Sequence, residues 1–105
     1  MKPQTKIEFL LPLTHNNGED IDLQHFLSVK EEIISHFGGI STHPGTVAGI
    51  WQGEDQIYYD NCYLFEVSAP RSDQTKIFFR LFKEKLKKLF NQHEIYMTAV
   101  EIERF

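Results

Sequence analysis

Three kinds of residue in this chain have the chemistry for a reaction. Ser41, Thr42 and His43 stand side by side before Pro44-Gly45, and Cys62 is the only thiol. A nucleophile needs a base within hydrogen-bond reach and a third group to orient that base. Adjacency in sequence supplies neither, and Ser-Thr-His before Pro-Gly equally describes a polar turn. A lone cysteine in an alternating segment behaves most often as a small buried hydrophobe. Carboxylates give the stronger enzymatic argument. Glu8, Asp60 and Glu66 fall on segments that alternate like central strands. An apolar partner surface over them would raise their pKa toward the range of a general acid or base, whereas at strand ends, in solvent or paired across a subunit interface they are ordinary structural charges. The catalytic candidates on this reading are His43, Asp60 and Cys62.

Metal and phosphate chemistry find less support. His36 and His43 flank a glycine pair, but HxxxH, CxxC and HExxH spacings are absent. Those spacings hold ligands at fixed distances on one element, so neither a metal site nor a cofactor is expected. Consecutive amides at Gly38-Gly39 could cradle an anion. They would sit at the negative end of a helix dipole, however, and the sequence predicts a helix stop there instead.

These candidates are positioned by six predicted elements. Lys6 to Leu13 alternates Ile7, Phe9 and Leu11 against Lys6, Glu8 and Leu10, a strand that Pro12 ends. Asp20 or Asp22 caps a helix of about four turns carrying Leu23, Phe26, Leu27, Ile33, Ile34 and Phe37 on its apolar stripe. Thr46 to Trp51 is a second strand, and Gly49 inside it marks a bulge, an edge or a close approach. A polar loop leads to the longest strand, Ile57 to Ser68, with Tyr63, Phe65 and Val67 on the helix side. Ser72 or Asp73 caps a second helix with apolar positions Ile77, Phe78, Leu81, Phe82, Leu86, Leu89 and Phe90. A last strand runs from Glu94 to Glu103.

The order strand, helix, strand, strand, helix, strand predicts an α+β, ferredoxin-like βαββαβ sandwich over residues 1–105 as a single domain. A four-stranded antiparallel sheet would carry both helices on one face, with the first and third strands central. The other face would then present Leu10, Cys62 and Leu64. So apolar a surface marks a binding site, and a homodimer or higher oligomer is expected. Leu10, Trp51, Tyr58 and Leu64 are the candidate ligand or interface residues. Gly38, Gly39 and Gly49 are assigned structural roles.

Phe37, Gly38, Gly39, Thr42, Gly49 and Trp51 form an FGG-[IV]-[ST]…G-x-W pattern. In this the chain resembles a group of small bacterial and phage-associated proteins of similar length with no assigned activity. The resemblance runs from Ile7 to the terminal EIERF and implies the same ferredoxin-like fold.

Composition narrows the partners. Hydrophobic residues make up 41% and charged residues 25%, as in ordinary globular domains. A net charge of −4 opposes nucleic-acid binding, which requires a basic surface. Tyr59, Tyr63 and Phe65 suggest base-stacking strands, but the aromatic motif of RNA-recognition domains is missing. No apolar run approaches the ~20 residues that span a bilayer, and the N-terminus lacks signal-peptide features. A single cysteine suits a reducing cytoplasm. The sequence therefore predicts a cytoplasmic oligomeric or small-molecule-binding module using the open sheet face and residues 41–45. The alternative is a small dimeric α/β-barrel-type enzyme with its site near His43, Asp60 and Cys62.

Overall fold

A computed structural model describes residues 1–105. Its elements are β1 (Lys2–Pro12), α1 (Leu23–Phe37), β2 (Ser41–Thr42), β3 (Val47–Gln52), β4 (Ile57–Pro70), α2 (Asp73–Leu89) and β5 (Met97–Arg104). β1 pairs antiparallel with β4 on one side and β5 on the other. β2 and β3 both pair with the far edge of β4. The fold is the expected ferredoxin-like α+β sandwich, but the sheet has five strands rather than four.

The predicted second strand is observed as β3, and the extra strand, β2, lies ahead of it at Ser41–Thr42, residues expected to form only a polar turn. Thr42 pairs with Phe65 and Val47 with Cys62, so residues 43–46 face only Tyr63 and Leu64 of β4. Pro44 has no N–H to give the ladder, and Gly45 turns the chain at φ 77°. The last strand also differs from expectation. It begins at Met97, because Ile95 drops into the core and is 2% exposed.

Local chemistry sets the helix ends. The Asp22 carboxylate accepts from the Gln24 N–H at 2.9 Å, and Ser72 Oγ accepts from the Thr75 N–H at 3.1 Å. Gly38 ends α1 at φ 85°, donating its N–H to the Ile34 carbonyl at 2.8 Å. Gly39 does not share that positive φ, so the helix stop rests on Gly38 alone.

Ile7, Phe9 and Leu11 of β1 and Phe65, Val67 and Ala69 of β4 meet the helices in one core. Phe9 and Phe65 stack with ring centroids 5.3 Å apart, and Phe82 meets Phe9 edge-on at 6.0 Å. The helices present narrower stripes to this core than their apolar content suggests. Phe26, Val29 and Ile33 are buried on α1, and Thr75, Phe79, Phe82 and Leu86 on α2. Leu23, Leu27, Ile34, Ile77 and Leu81 face outward, correcting the broader stripes read from the sequence. Arg71 ties β5 to the sheet, donating to the Ile102 carbonyl at 2.7 Å. No helix is long and apolar enough to cross a membrane.

Candidate functional site on the open sheet face

Alternation along paired strands decides what shares the uncovered face. Across β1 and β4, Glu8 faces Glu66, Leu10 faces Leu64 and Pro12 faces Cys62. Across β3 and β4, Val47 faces Cys62, Gly49 faces Asp60 and Trp51 faces Tyr58. These residues form a gradient along the sheet. Aromatic and thiol groups lie at the hairpin end, two leucines in the middle, and carboxylates beyond.

The carboxylate end is a mixed-charge cluster. Lys6 Nζ lies 3.7 Å from Glu8 Oε1 and 3.9 Å from Glu66 Oε1. His43 Nε2 lies 3.8 Å from the same Glu66 oxygen. The turn between β2 and β3 positions this histidine: its backbone N–H donates to the Leu64 carbonyl at 3.1 Å, beside the bulge. Bulges commonly re-aim a side chain at a site. Lys6, Glu8 and Glu66 are each about one-third exposed, so ligands can reach them while water screens them incompletely. The cluster sets two carboxylates against one lysine, with the His43 imidazole beside them.

The aromatic end is held differently. The Trp51 indole folds back over Gly49, where an added Cβ would stand 2.8 Å from Nε1. Only glycine leaves that space, which answers why the strand carries one. The indole reaches Tyr96 with ring centroids 6.2 Å apart. Beneath these rings, Leu10, Pro12, Asp60, Cys62 and Ile95 line a slot of about 30 Å³. Burial, reinforced by the Asp60 charge, pushes the Cys62 thiol up to about 11. A thiol held protonated at neutral pH is no nucleophile.

The candidates thus separate. Leu10, Trp51, Tyr58, Asp60, Cys62 and Leu64 share the face, as alternation predicts. His43 does not join Asp60 and Cys62. It sits at Glu66, about 20 Å from Asp60 along β4. Glu8 and Glu66 were legible as open-face carboxylates, but their pairing with Lys6 and His43 depends on register and on the bulge. A larger depression of about 380 Å³ lies among His15, Asn16, Asn17, Glu19 and Asn91. It is an open notch between loops with no apolar wall, unlike pockets that hold small molecules.

No family model matches the chain, and no curated protein matches it in sequence. Solved structures do match its fold. A phage S-adenosylmethionine lyase in complex with S-methyl-5'-thioadenosine superposes with TM-score 0.71 at 11% identity, over 99% of this chain and 92% of that one. The divalent cation tolerance protein CutA1 of Thermus thermophilus matches with TM-score 0.65 at 13% identity, covering 97% and 86%. CutA1 of Oryza sativa matches with TM-score 0.65 at 15% identity, covering 99% and 84%. At such identities the likeness establishes a shared ferredoxin-like fold.

Proposed function

We propose that this chain is a homo-oligomeric module that binds a small cationic molecule on its open sheet face. The observation that carries this reading is the half-buried Glu8–Glu66 pair, with Lys6 and His43, set beside Leu10 and Leu64 on the open face. Two opposed carboxylates tolerate one another best beside positive charge, and a single lysine supplies half of it. Cys62, beneath the Trp51–Tyr96 rings, lies four strand residues from Glu66, roughly 13 Å along the sheet. A ligand with a planar group and a cationic group suits both ends. Leu10 and Leu64 between them favour a second copy covering the face, and proteins with the FGG…G-x-W pattern would share the arrangement. A reducing cytoplasm agrees with a single protonated thiol.

One observation favours a second, enzymatic reading. Among the matching folds is the lyase bound to a thioadenosine, and S-adenosylmethionine has both a planar base and cationic groups. On this reading the site is Glu66 with Glu8 and His43, rather than Cys62.

Sedimentation velocity and calorimetry test the proposal together. The wild type is expected to sediment as an oligomer, and Leu64→Glu to shift it toward the 12.4 kDa monomer. S-adenosylmethionine and S-methyl-5'-thioadenosine are the probes for the site. Binding that Glu66→Gln weakens supports the module, and chromatographic appearance of the thioether product supports the enzyme. A monomer at all concentrations that binds neither compound would sink both readings.

A further inference from the structure

The outer face of α2 presents a surface that neither the core nor the sheet-face site uses. This helix carries Lys76, Arg80, Lys83, Lys85, Lys87 and Lys88 against Asp73 and Glu84, in a chain with a net charge of −4. Acidic residues therefore dominate everywhere else. Half of the helix's cations are held within the molecule. Lys83 lies 3.0 Å from Glu94, Lys85 2.8 Å from Glu32, and Lys87 3.5 Å from Glu84. Lys76, Arg80 and Lys88 form no ion pair. Between them Ile77 and Leu81, one turn apart, are 54% and 66% exposed. Spacings of three, four and seven residues set all five on one side of the helix.

We propose that this face docks an acidic segment of a partner protein, one that presents aliphatic side chains beside its carboxylates. Charge complementarity chooses the occupant. Free cations flanking two exposed aliphatics match carboxylates flanking aliphatics, and Glu84 at the centre, already paired with Lys87, disfavours a uniformly anionic surface. From Lys76 to Lys88 the stripe is about 18 Å long, three helical turns or a short extended segment. An anionic bilayer fits less well. Interfacial helices insert a broad apolar face, whereas Phe79, Phe82 and Leu86 are committed to the core. Nucleic acid fits less well too, because a duplex would extend beyond the stripe onto an acidic surface.

Fluorescence anisotropy decides the matter. The probe is a fluorescein-labelled helical peptide about four turns long, with Glu and Leu at three- and four-residue spacings. Saturable micromolar binding to the full chain is expected. The double variant Lys76→Glu/Arg80→Glu should weaken it about tenfold, and Ile77→Ser/Leu81→Ser by a similar factor. Both pairs are exposed, and unchanged circular dichroism will show that the variants fold. Calorimetry with S-adenosylmethionine should be unaffected by these changes, which separates this docking face from the sheet-face site. Several results overturn the proposal: no saturable binding, equal binding by wild type and both variants, or equal binding of a peptide with Lys in place of Glu. Displacement of the peptide by phosphatidylserine vesicles or duplex DNA, with tighter binding than the peptide's own, would assign the face to those surfaces instead.

Discussion

The two faces of the sheet are built from the same strands and obey opposite rules. Ile7, Phe9, Leu11, Phe65 and Val67 are at most 2% exposed. Their immediate neighbours Lys6, Glu8, Leu10, Leu64 and Glu66 remain partly open. On the covered face, shape decides: rings stack and interlock, and any loss leaves a hole. On the open face, charge and aromatic edges decide, and the side chains keep part of their surface in water. Strand alternation links the two. A one-residue slip of β1 against β4 would bring Glu8 and Lys6 into the core, so the demand for an apolar core also fixes the register of the carboxylate pair.

The largest expected effect breaks the comparison at adjacent positions of β4. Phe65→Ala removes a ring that stacks on Phe9, at a cost of about 3–5 kcal/mol. That is a large fraction of a domain's roughly 5–15 kcal/mol of stability, and urea unfolding should lose most of its native baseline. Leu64→Ala, one residue away, should cost only about 1 kcal/mol in dilute monomer, because its side chain is partly solvated already. A Leu64→Ala penalty that grows with protein concentration would sharpen the picture by showing the open face buried between copies. Equal penalties at every concentration would mean that the two faces do not differ as described.

A smaller effect tests how the open face holds its aromatic end. Gly49→Ala places a methyl within 2.8–3.0 Å of three indole atoms of Trp51, so the ring must move. Overpacking of this kind costs about 1–3 kcal/mol, with the low end expected because Trp51 is on an edge strand and can swing outward. Tryptophan emission should shift to the red as the indole leaves Gly49 and Tyr96. An unchanged spectrum would mean that the ring does not rest on this glycine.

Much of this arrangement was written locally. Alternation at Phe9 and Phe65, the Asp22 and Ser72 caps and the stop at Gly38 each need only a few neighbouring residues. The face shared by Asp60, Cys62 and Leu64 follows from the same period of two. Other features depend on partners far away in sequence. Pro44-Gly45 signals a turn, but that Ser41–Thr42 ahead of it forms a strand and that His43 lies on Glu66 require β4 as the template. Ile77 and Phe79 are equally apolar, and only the packed helix shows that Phe79 turns inward while Ile77 is left outside. Grouping His43 with Asp60 and Cys62 failed for this reason. The candidates were individually sound, but distance along β4 keeps them apart.

The smallest effect concerns Cys62, which belongs to the open face by register yet is 3% exposed beneath the aromatic end. Burial first, and the nearby Asp60 charge second, raise its pKa from 9.0 to about 11. The sign follows from linkage. A thiol whose folded pKa exceeds its unfolded value binds its proton more tightly in the native state, so this contribution is fully present below pH 9.0. It is lost as pH rises through about 11, where the buried thiolate would have to form. Other groups titrate in that window as well, so the informative quantity is a difference. Cys62→Val keeps the volume and removes the proton. The stability gap between wild type and Cys62→Val should be flat from pH 6 to 9 and should move against the wild type above about pH 9. Disulfide-exchange reagents should label native Cys62 slowly at pH 8, since both access and thiolate fraction are low. Rapid labelling at that pH, with a pH-independent stability gap, would show that the slot beneath Trp51 and Tyr96 is open to water, and the thiol would then belong with the solvated half of this face.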